Sequence, residues 1–217
     1  MRIAANSKLV FIGDSITDCG RARPVGEGLF EAIGKGYVGL VSGLLGSICP
    51  ERHIRVVNMG SSGNTVRDLN ARWQTDVLDL KPDWLAIMIG INDVWRQFDL
   101  PLQPETHVGI AEYEATLREL VTRTAPTLKG LVLMTPFFIE PNPQEPMRAR
   151  MDEYSAVVKR LAKESGAACV DVQAAFNQVL AHCHPGALAW DRVHPNVTGH
   201  MVIARAFLRA VDCPMGQ

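Results

Sequence analysis

Short apolar runs alternate with stretches of helical period along this chain. Leu9-Val10-Phe11-Ile12, Ile54-Arg55-Val56-Val57, Trp84 to Ile89, Leu131-Val132-Leu133-Met134 and Cys169-Val170-Asp171-Val172 predict strands. Most are apolar at consecutive positions, as a strand covered on both faces must be. Between them, Val66, Leu69, Trp73, Val77 and Leu80 recur every three or four residues and predict an amphipathic helix. Ile110, Tyr113, Leu117 and Leu120/Val121 predict a second, Met147, Met151, Tyr154, Val158 and Leu161 a third, and Met201, Ala204, Leu208 and Val211 a fourth. Segment 36–48 predicts a further helix, weakened by its glycines. Strands alternating with helices imply parallel strands joined by crossovers. The expected fold is therefore a three-layer α/β/α sandwich around a mostly parallel five-stranded sheet. The Pro-rich stretch 136–146 is expected to be a loop long enough to shape a site.

Composition narrows the function. The 217 residues carry 22 Lys+Arg against 23 Asp+Glu, a formal net charge of -1, which argues against a nucleic-acid protein. That length suits one domain over 1–217 with a core large enough to need no staple. No apolar run approaches the roughly 18 residues of a membrane span, and Leu9 to Ile12 is too short for a signal-peptide core. The five cysteines form no CxxC, which fits free buried thiols in a reducing compartment. The expected location is the cytoplasm.

In an open parallel sheet, ligands bind beyond the carboxyl ends of the strands. Gly13-Asp14-Ser15-Ile16-Thr17-Asp18 follows the first predicted strand, Gly60-Ser61-Ser62-Gly63-Asn64-Thr65 the second, and Gly90-Ile91-Asn92-Asp93 the third. Trp190-Asp191-Arg192-Val193-His194-Pro195 precedes the last helix. These clusters supply a hydroxyl, an amide, a carboxylate and an imidazole, the parts of a serine hydrolase. A serine becomes nucleophilic when an imidazole accepts its proton, and a carboxylate holds that imidazole in one tautomer. Asp191 and His194 could form the pair that activates Ser15. The backbone N–H groups of Ser15 and Gly63 and the side-chain amide of Asn92 could stabilise the oxyanion.

With these residues in order, the chain resembles the SGNH hydrolases, also called the GDSL esterase/lipase superfamily. Ser15 in Gly-Asp-Ser, Gly63 in Ser-Gly-Asn-Thr, Asn92 in Gly-Ile-Asn-Asp and His194 in Asp-Arg-Val-His-Pro match the four naming residues, and Asp191 matches the triad acid. Ile16 stands where many members have leucine, a conservative departure. The resemblance implies a flavodoxin-like sheet. The flanks Asp14 to Pro24, Ile89 to Gln97 and Ala187 to Pro195 are similar to bacterial intracellular acetyl-xylan esterases of this superfamily. That likeness implies a small acetylated carbohydrate as substrate, such as an acetylated xylo-oligosaccharide, with no metal and no cofactor. At least one branch assembles as a homo-octamer, which implies a homo-oligomer here. Motif chemistry alone leaves open a short-chain lipase, lysophospholipase or thioesterase, or a carbohydrate-binding protein without turnover.

Substrate contacts are read less directly. Asp14, Trp95, Arg96 and Trp190 flank the catalytic residues and are candidates for substrate binding. Asp14 has a competing task, bonding to loop backbone, and the tryptophans could pack in the core. Phe137 and Phe138 could wall off a small acyl pocket. His53 reads as surface, His107 as a helix-end group and His200 as a packing residue. His182-Cys183-His184 lacks a second ligand pair for zinc. Gly34-Lys35-Gly36-Tyr37-Val38-Gly39 spells a dinucleotide fingerprint but follows no strand, so its glycines are expected to let segment 24–39 fold over the site entrance. No Gly-x-Ser-x-Gly elbow is present.

Overall fold

A computed structural model describes residues 1–214. Five strands, β1 (Lys8–Gly13), β2 (Arg55–Gly60), β3 (Trp84–Met88), β4 (Gly130–Met134) and β5 (Ala168–Val170), form one sheet in the order β2-β1-β3-β4-β5. All neighbouring pairs are parallel, with Gly13 in register with Gly60 and with Met88. This is the flavodoxin-like order, whose reversal point lies between β1 and β3. The central strands carry the chain's most apolar runs: Leu9, Val10, Phe11 and Ile12 are each 0% exposed. Fully burying such side chains is worth roughly 1.5–3 kcal/mol each, which fixes β1 and β3 at the centre.

Helices cover both faces. They are α1 (Ser15–Asp18), α2 (Tyr37–Ile48), α3 (Val66–Trp73), α4 (Ile91–Asp99), α5 (Ile110–Thr124), α6 (Pro146–Ser165), α7 (Val172–Leu180) and α8 (Val197–Ala210). α8 packs with α2 and α7 on one side, and α5 packs with α3 and α6 on the other. Among the described residues no helix is long and apolar enough to cross a membrane.

Three departures from the sequence reading have local causes. The helix expected across 66–80 leaves α geometry at Gln74–Leu78, a π-turn closed by the Asp79 N–H on the Gln74 carbonyl at 2.9 Å. The last predicted strand ends early, because the Asp171 carboxylate accepts the Ala174 N–H at 3.0 Å and starts α7 at Val172. Gly90-Ile91-Asn92-Asp93, expected as loop, opens α4, so Asn92 lies in a first helical turn.

Segment 24–39 is also corrected. Gly26 and Asn58 exchange backbone bonds of 3.1 and 2.8 Å along the free edge of β2, and the Lys35 N–H reaches the Cys19 carbonyl at 2.9 Å. The segment covers an unpaired sheet edge. Among the described residues its hydrogen bonds to the rest of the chain reach that edge, Thr17, residues 19–22 and His200 of α8, and none goes to Ser15 or His194.

Candidate active site

The carboxyl ends of β1, β2 and β3 bring the three strand-following clusters together. Gly60 is required there: a Cβ would lie 2.2 Å from the Asp18 amide nitrogen, so only a bare backbone lets α1 rest on the end of β2. The loop 188–196 joins from the other side, between α7 and α8.

Ser15, Asp191 and His194 form one hydrogen-bonded line. Ser15 Oγ donates to His194 Nε2 at 3.0 Å. His194 Nδ1 donates to Asp191 Oδ2 at 2.6 Å. The other Asp191 oxygen accepts the backbone N–H groups of Val193 and His194 at 2.9 and 2.8 Å. Burial pushes the Asp191 carboxyl up, but the His194 side chain and these two N–H groups outweigh it and hold it below its usual range. The carboxylate therefore stays ionised and fixes the imidazole with its hydrogen on Nδ1, leaving Nε2 free to accept the serine proton.

The three expected oxyanion donors lie on the segments that follow β1, β2 and β3. Gly63 has φ +80, in the left-handed region that favours glycine. Its neighbours are tied down. The Ser61 N–H reaches the Gly13 carbonyl at 3.0 Å, and the Ser62 N–H and hydroxyl both reach Asp18 Oδ2 at 3.1 Å. The Thr65 N–H bonds Asp68 at 2.8 Å and the Val66 N–H bonds Asp93 at 3.0 Å. Among the described residues the Gly63 and Ser15 N–H groups have no acceptor within the protein. Asn92 Nδ2 donates to the Asn64 carbonyl at 2.9 Å, which uses one of its two hydrogens.

Candidate substrate residues divide. Trp95 is half-buried with its ring edge-on to His194, 5.8 Å between centroids. Arg96 lies 5.0 Å above the Trp95 ring and reaches Asn92 Oδ1 at 3.3 Å. Trp190 is 87% exposed beside Asp191, so the core-packing alternative does not hold for it. Asp14 does not reach a surface that a substrate could touch: it is 1% exposed and caps α1, accepting the Ile16 N–H at 3.0 Å. The backbone-bonding task wins there. Burial pushes its carboxyl up to about 7, against the pull of that bond and of His194. Phe137 is buried against Phe176, and Phe138 is buried under Arg192, 4.9 Å from its guanidinium carbon. Both fill the space behind the triad loop.

The other histidines serve elsewhere. His53 is exposed, and His107 Nε2 donates to the Leu100 carbonyl at 2.9 Å. His184 accepts the Gly186 N–H at 3.0 Å, and Cys183 bonds the Val179 carbonyl at 3.5 Å. Among the described residues no three His, Cys, Asp or Glu side chains gather as a metal cluster.

Asp18 and Arg72 were not among the residues expected at the site. The sequence carried a faint signal for Arg72, a charge beside the buried Leu69 and Trp73 of an amphipathic helix. Asp18 and its partner Ser62 stood in the two strand-following clusters, but nothing in either cluster marked them as a pair.

Comparison with known proteins agrees with this geometry. The model of the GDSL-like Lipase/Acylhydrolase family matches residues 11–202. The chain is 64% identical over 211 residues to an acetylxylan esterase of Geobacillus stearothermophilus, covering 97% of this chain and 96% of that one. A crystal structure of Axe2, an acetylxylan esterase of that organism, matches with a TM-score of 0.96, again at 64% identity with 97% and 96% covered. LAE5, described as an alpha/beta hydrolase enzyme from the metagenome of Lake Arreo, matches with a TM-score of 0.98 at 61% identity over 100% of both chains. Solved variants of Axe2 described as catalytic mutants are S15A, D191A and H194A. Serine, aspartate and histidine carry those same numbers in this chain. The chain belongs to the GDSL-like lipase/acylhydrolase family.

Proposed function

We propose that this chain is a serine acetylesterase that removes O-acetyl groups from small carbohydrates such as xylo-oligosaccharides. The observation that carries the chemistry is the Ser15–His194–Asp191 line beside two unpaired backbone N–H groups. Ser15 Oγ attacks the ester carbonyl while its proton passes to His194 Nε2, and Asp191 stabilises the resulting imidazolium. The carbonyl oxygen, now negative, accepts bonds from the Ser15 N–H, the Gly63 N–H and the free hydrogen of Asn92 Nδ2. Collapse expels the sugar oxygen, which takes the proton from His194. Water then attacks the acetyl-Ser15 ester, giving a proton to His194 Nε2; collapse breaks the bond to Ser15 Oγ, which takes that proton back, and acetate leaves.

The substrate class rests on the 64% identity to an acetylxylan esterase and on the surroundings of the triad. The exposed Trp190 ring offers a face for a sugar. The bulk of buried Phe137 and Phe138, just after β4, supports a short acyl pocket over a long trough. The five unpaired cysteines, of which Cys49 and Cys213 are buried but Cys169 is exposed against expectation, support a reducing compartment, the cytoplasm. Exposed Phe30, Leu102 and Trp190 support self-association of a single-domain protomer.

Turnover of p-nitrophenyl esters of increasing chain length, beside acetylated xylo-oligosaccharides, tests this reading. Each methylene accommodated in an apolar trough gains about 0.8 kcal/mol, so a lipase would favour long chains steeply. An acetylesterase should show kcat/KM falling from acetate to butyrate and nearly vanishing at octanoate, with acetate released from the oligosaccharide. A maximum at hexanoate or beyond would turn the reading to a lipase. No turnover of any ester would leave a binding protein.

A further inference from the structure

Oxyanion donors lower a barrier only when they are fixed before the charge develops. Here they come from three separate segments, after β1, β2 and β3, tied in pairs by the Ser61 N–H on the Gly13 carbonyl, by Asp18 on Ser62 and by the Asn92 amide on the Asn64 carbonyl. One side chain bonds the ends of β1 and β2 and the Gly63 loop at once. Arg72 on α3 is largely buried, with 17% of its side chain exposed. Its Nη2 donates to the Gly13 carbonyl at 2.9 Å, two residues before the nucleophile. Its Nη1 donates to the Met59 carbonyl at 2.7 Å, near the end of β2, and to Asp76 at 2.7 Å. Its Nε donates to Asn64 Oδ1 at 2.6 Å, on the residue that follows Gly63. The Asn64 carbonyl in turn receives the Asn92 amide at 2.9 Å.

We infer that Arg72 is the positioning residue of the oxyanion hole, one guanidinium that sets the Ser15, Gly63 and Asn92 donors relative to each other. This rests on the acyl-transfer reading of those three residues. The planar fork matters more than the charge. A guanidinium presents its donors in fixed directions, as acceptors on three backbone segments require, whereas a lysine is a single ammonium point on a flexible stem. Asn64 is the relay. Its side chain holds the Gly63 loop to Arg72, and its carbonyl takes one Asn92 hydrogen, which aims the other into the hole. Arg72 touches no reacting atom and acts through Asn64 and the Gly13 backbone.

The test uses purified variants normalised by active-site titration, with p-nitrophenyl acetate as substrate and methylboronic acid as a probe that forms a tetrahedral anionic adduct on a serine. Arg72→Met and Arg72→Lys should both lower kcat by about 10²-fold, the cost of a misplacement near 1 Å, with KM little changed. Affinity for methylboronic acid should fall by the same factor as kcat/KM. Asn64→Ala, a half-buried loop change that leaves α3 intact, should lower kcat about tenfold by the same route. The double variant Arg72→Met/Asn64→Ala should lose less than the product of the single losses, because both cut one link. Wild-type kcat in Arg72→Met would overturn the inference, as would full activity in Arg72→Lys, an unchanged Asn64→Ala, or multiplicative losses in the double variant. A drop in melting temperature with kcat and boronate affinity intact would make Arg72 a stability residue only. If wild-type protein itself fails on acetate esters, the acyl-transfer reading fails, an outcome distinct from these.

Discussion

Two chalcogen–imidazole pairs lie side by side in this molecule, and they have opposite chemistry. Ser15 and His194 form one, at 3.0 Å. Cys19, one helical turn after Ser15, and His200, in α8 just beyond the triad loop, form the other at 3.6 Å. A thiol is intrinsically the better nucleophile, so composition alone would favour the second pair. The third partner decides otherwise. His194 Nδ1 faces the Asp191 carboxylate, which requires the hydrogen on Nδ1 and leaves Nε2 as an acceptor. His200 Nδ1 instead accepts the Tyr37 N–H at 3.2 Å, so its hydrogen sits on Nε2 and points at the sulfur. A ring that donates to the thiol cannot take its proton. Burial, with help from the Asp18 charge, pushes the Cys19 thiol up, and burial with His194 nearby pushes His200 down to about 4. The same side-chain types are set to accept a proton or fixed as a packing contact according to what the far ring nitrogen meets.

The contrast can be broken most severely at the nucleophile. Ser15→Ala or His194→Ala should lower kcat by about 10⁴-fold or more, because the pair works as one unit. Cys19→Ala should leave kcat on p-nitrophenyl acetate within a few-fold of wild type. Comparable losses at both sites would erase the distinction between the pairs.

Asp191→Asn should convert the first pair into a copy of the second. An amide N–H facing His194 Nδ1 would drive the ring hydrogen to Nε2, as the Tyr37 N–H does for His200. Loss of kcat by about 10³–10⁴-fold is expected, with the fold retained. Steady-state kinetics with a melting curve as control would show it, and near-normal turnover would refute the tautomer account.

A smaller effect is expected at the oxyanion hole. Asn92→Ala should cost about 10²–10³-fold in kcat, the value of one donor. KM for p-nitrophenyl acetate should stay close to wild type. A loss confined to KM would make Asn92 a ground-state binding residue.

His200 gives the mildest test, and its sign is fixed by linkage. Its pKa falls from 6.5 to about 4 on folding, so between those values the unfolded chain binds the extra proton. The stability it contributes is fully present above pH 6.5 and is lost as pH falls toward about 4, by ~3 kcal/mol in all. His200→Gln removes that titration. Denaturant melts from pH 7 to pH 4 should fall less steeply for the variant than for wild type, with kcat at neutral pH within a few-fold. Parallel pH slopes would show that His200 is not the group held neutral by burial.

Much of this was legible in the sequence, for a physical reason. A strand covered on both faces must be apolar without interruption, so Leu9–Ile12 and Trp84–Met88 announce themselves. A parallel sheet then puts the residues after its strands at one edge, where Ser15, Gly63 and Asn92 follow β1, β2 and β3. α4 and α7 were not legible: α4 opens on the polar Asn92-Asp93 pair that reads as loop, and α7 opens on the apolar Val172 that extends the strand pattern. Val172 follows β5 so closely that only the Asp171 cap separates them. The π-turn at Gln74–Leu78 preserves the apolar spacing of the helix before it and leaves no mark in the pattern. Asp14 misled by adjacency to Ser15, because neighbours in sequence differ here in burial. The clamps on the Gly63 loop, Asp18 to Ser62 and Arg72 to Asn64, join residues from different loops. No single-sequence pattern encodes such pairings.

The central claim is that Ser15 carries the acyl group, and direct trapping tests it. Wild-type protein mixed with p-nitrophenyl acetate, acid-quenched in the steady state and digested, should yield an acetylated peptide that maps by fragmentation to Ser15. Ser15→Ala protein should carry none of it. Acetyl on the Cys19 thiol, or turnover with no acetyl on any side chain, would contradict the account.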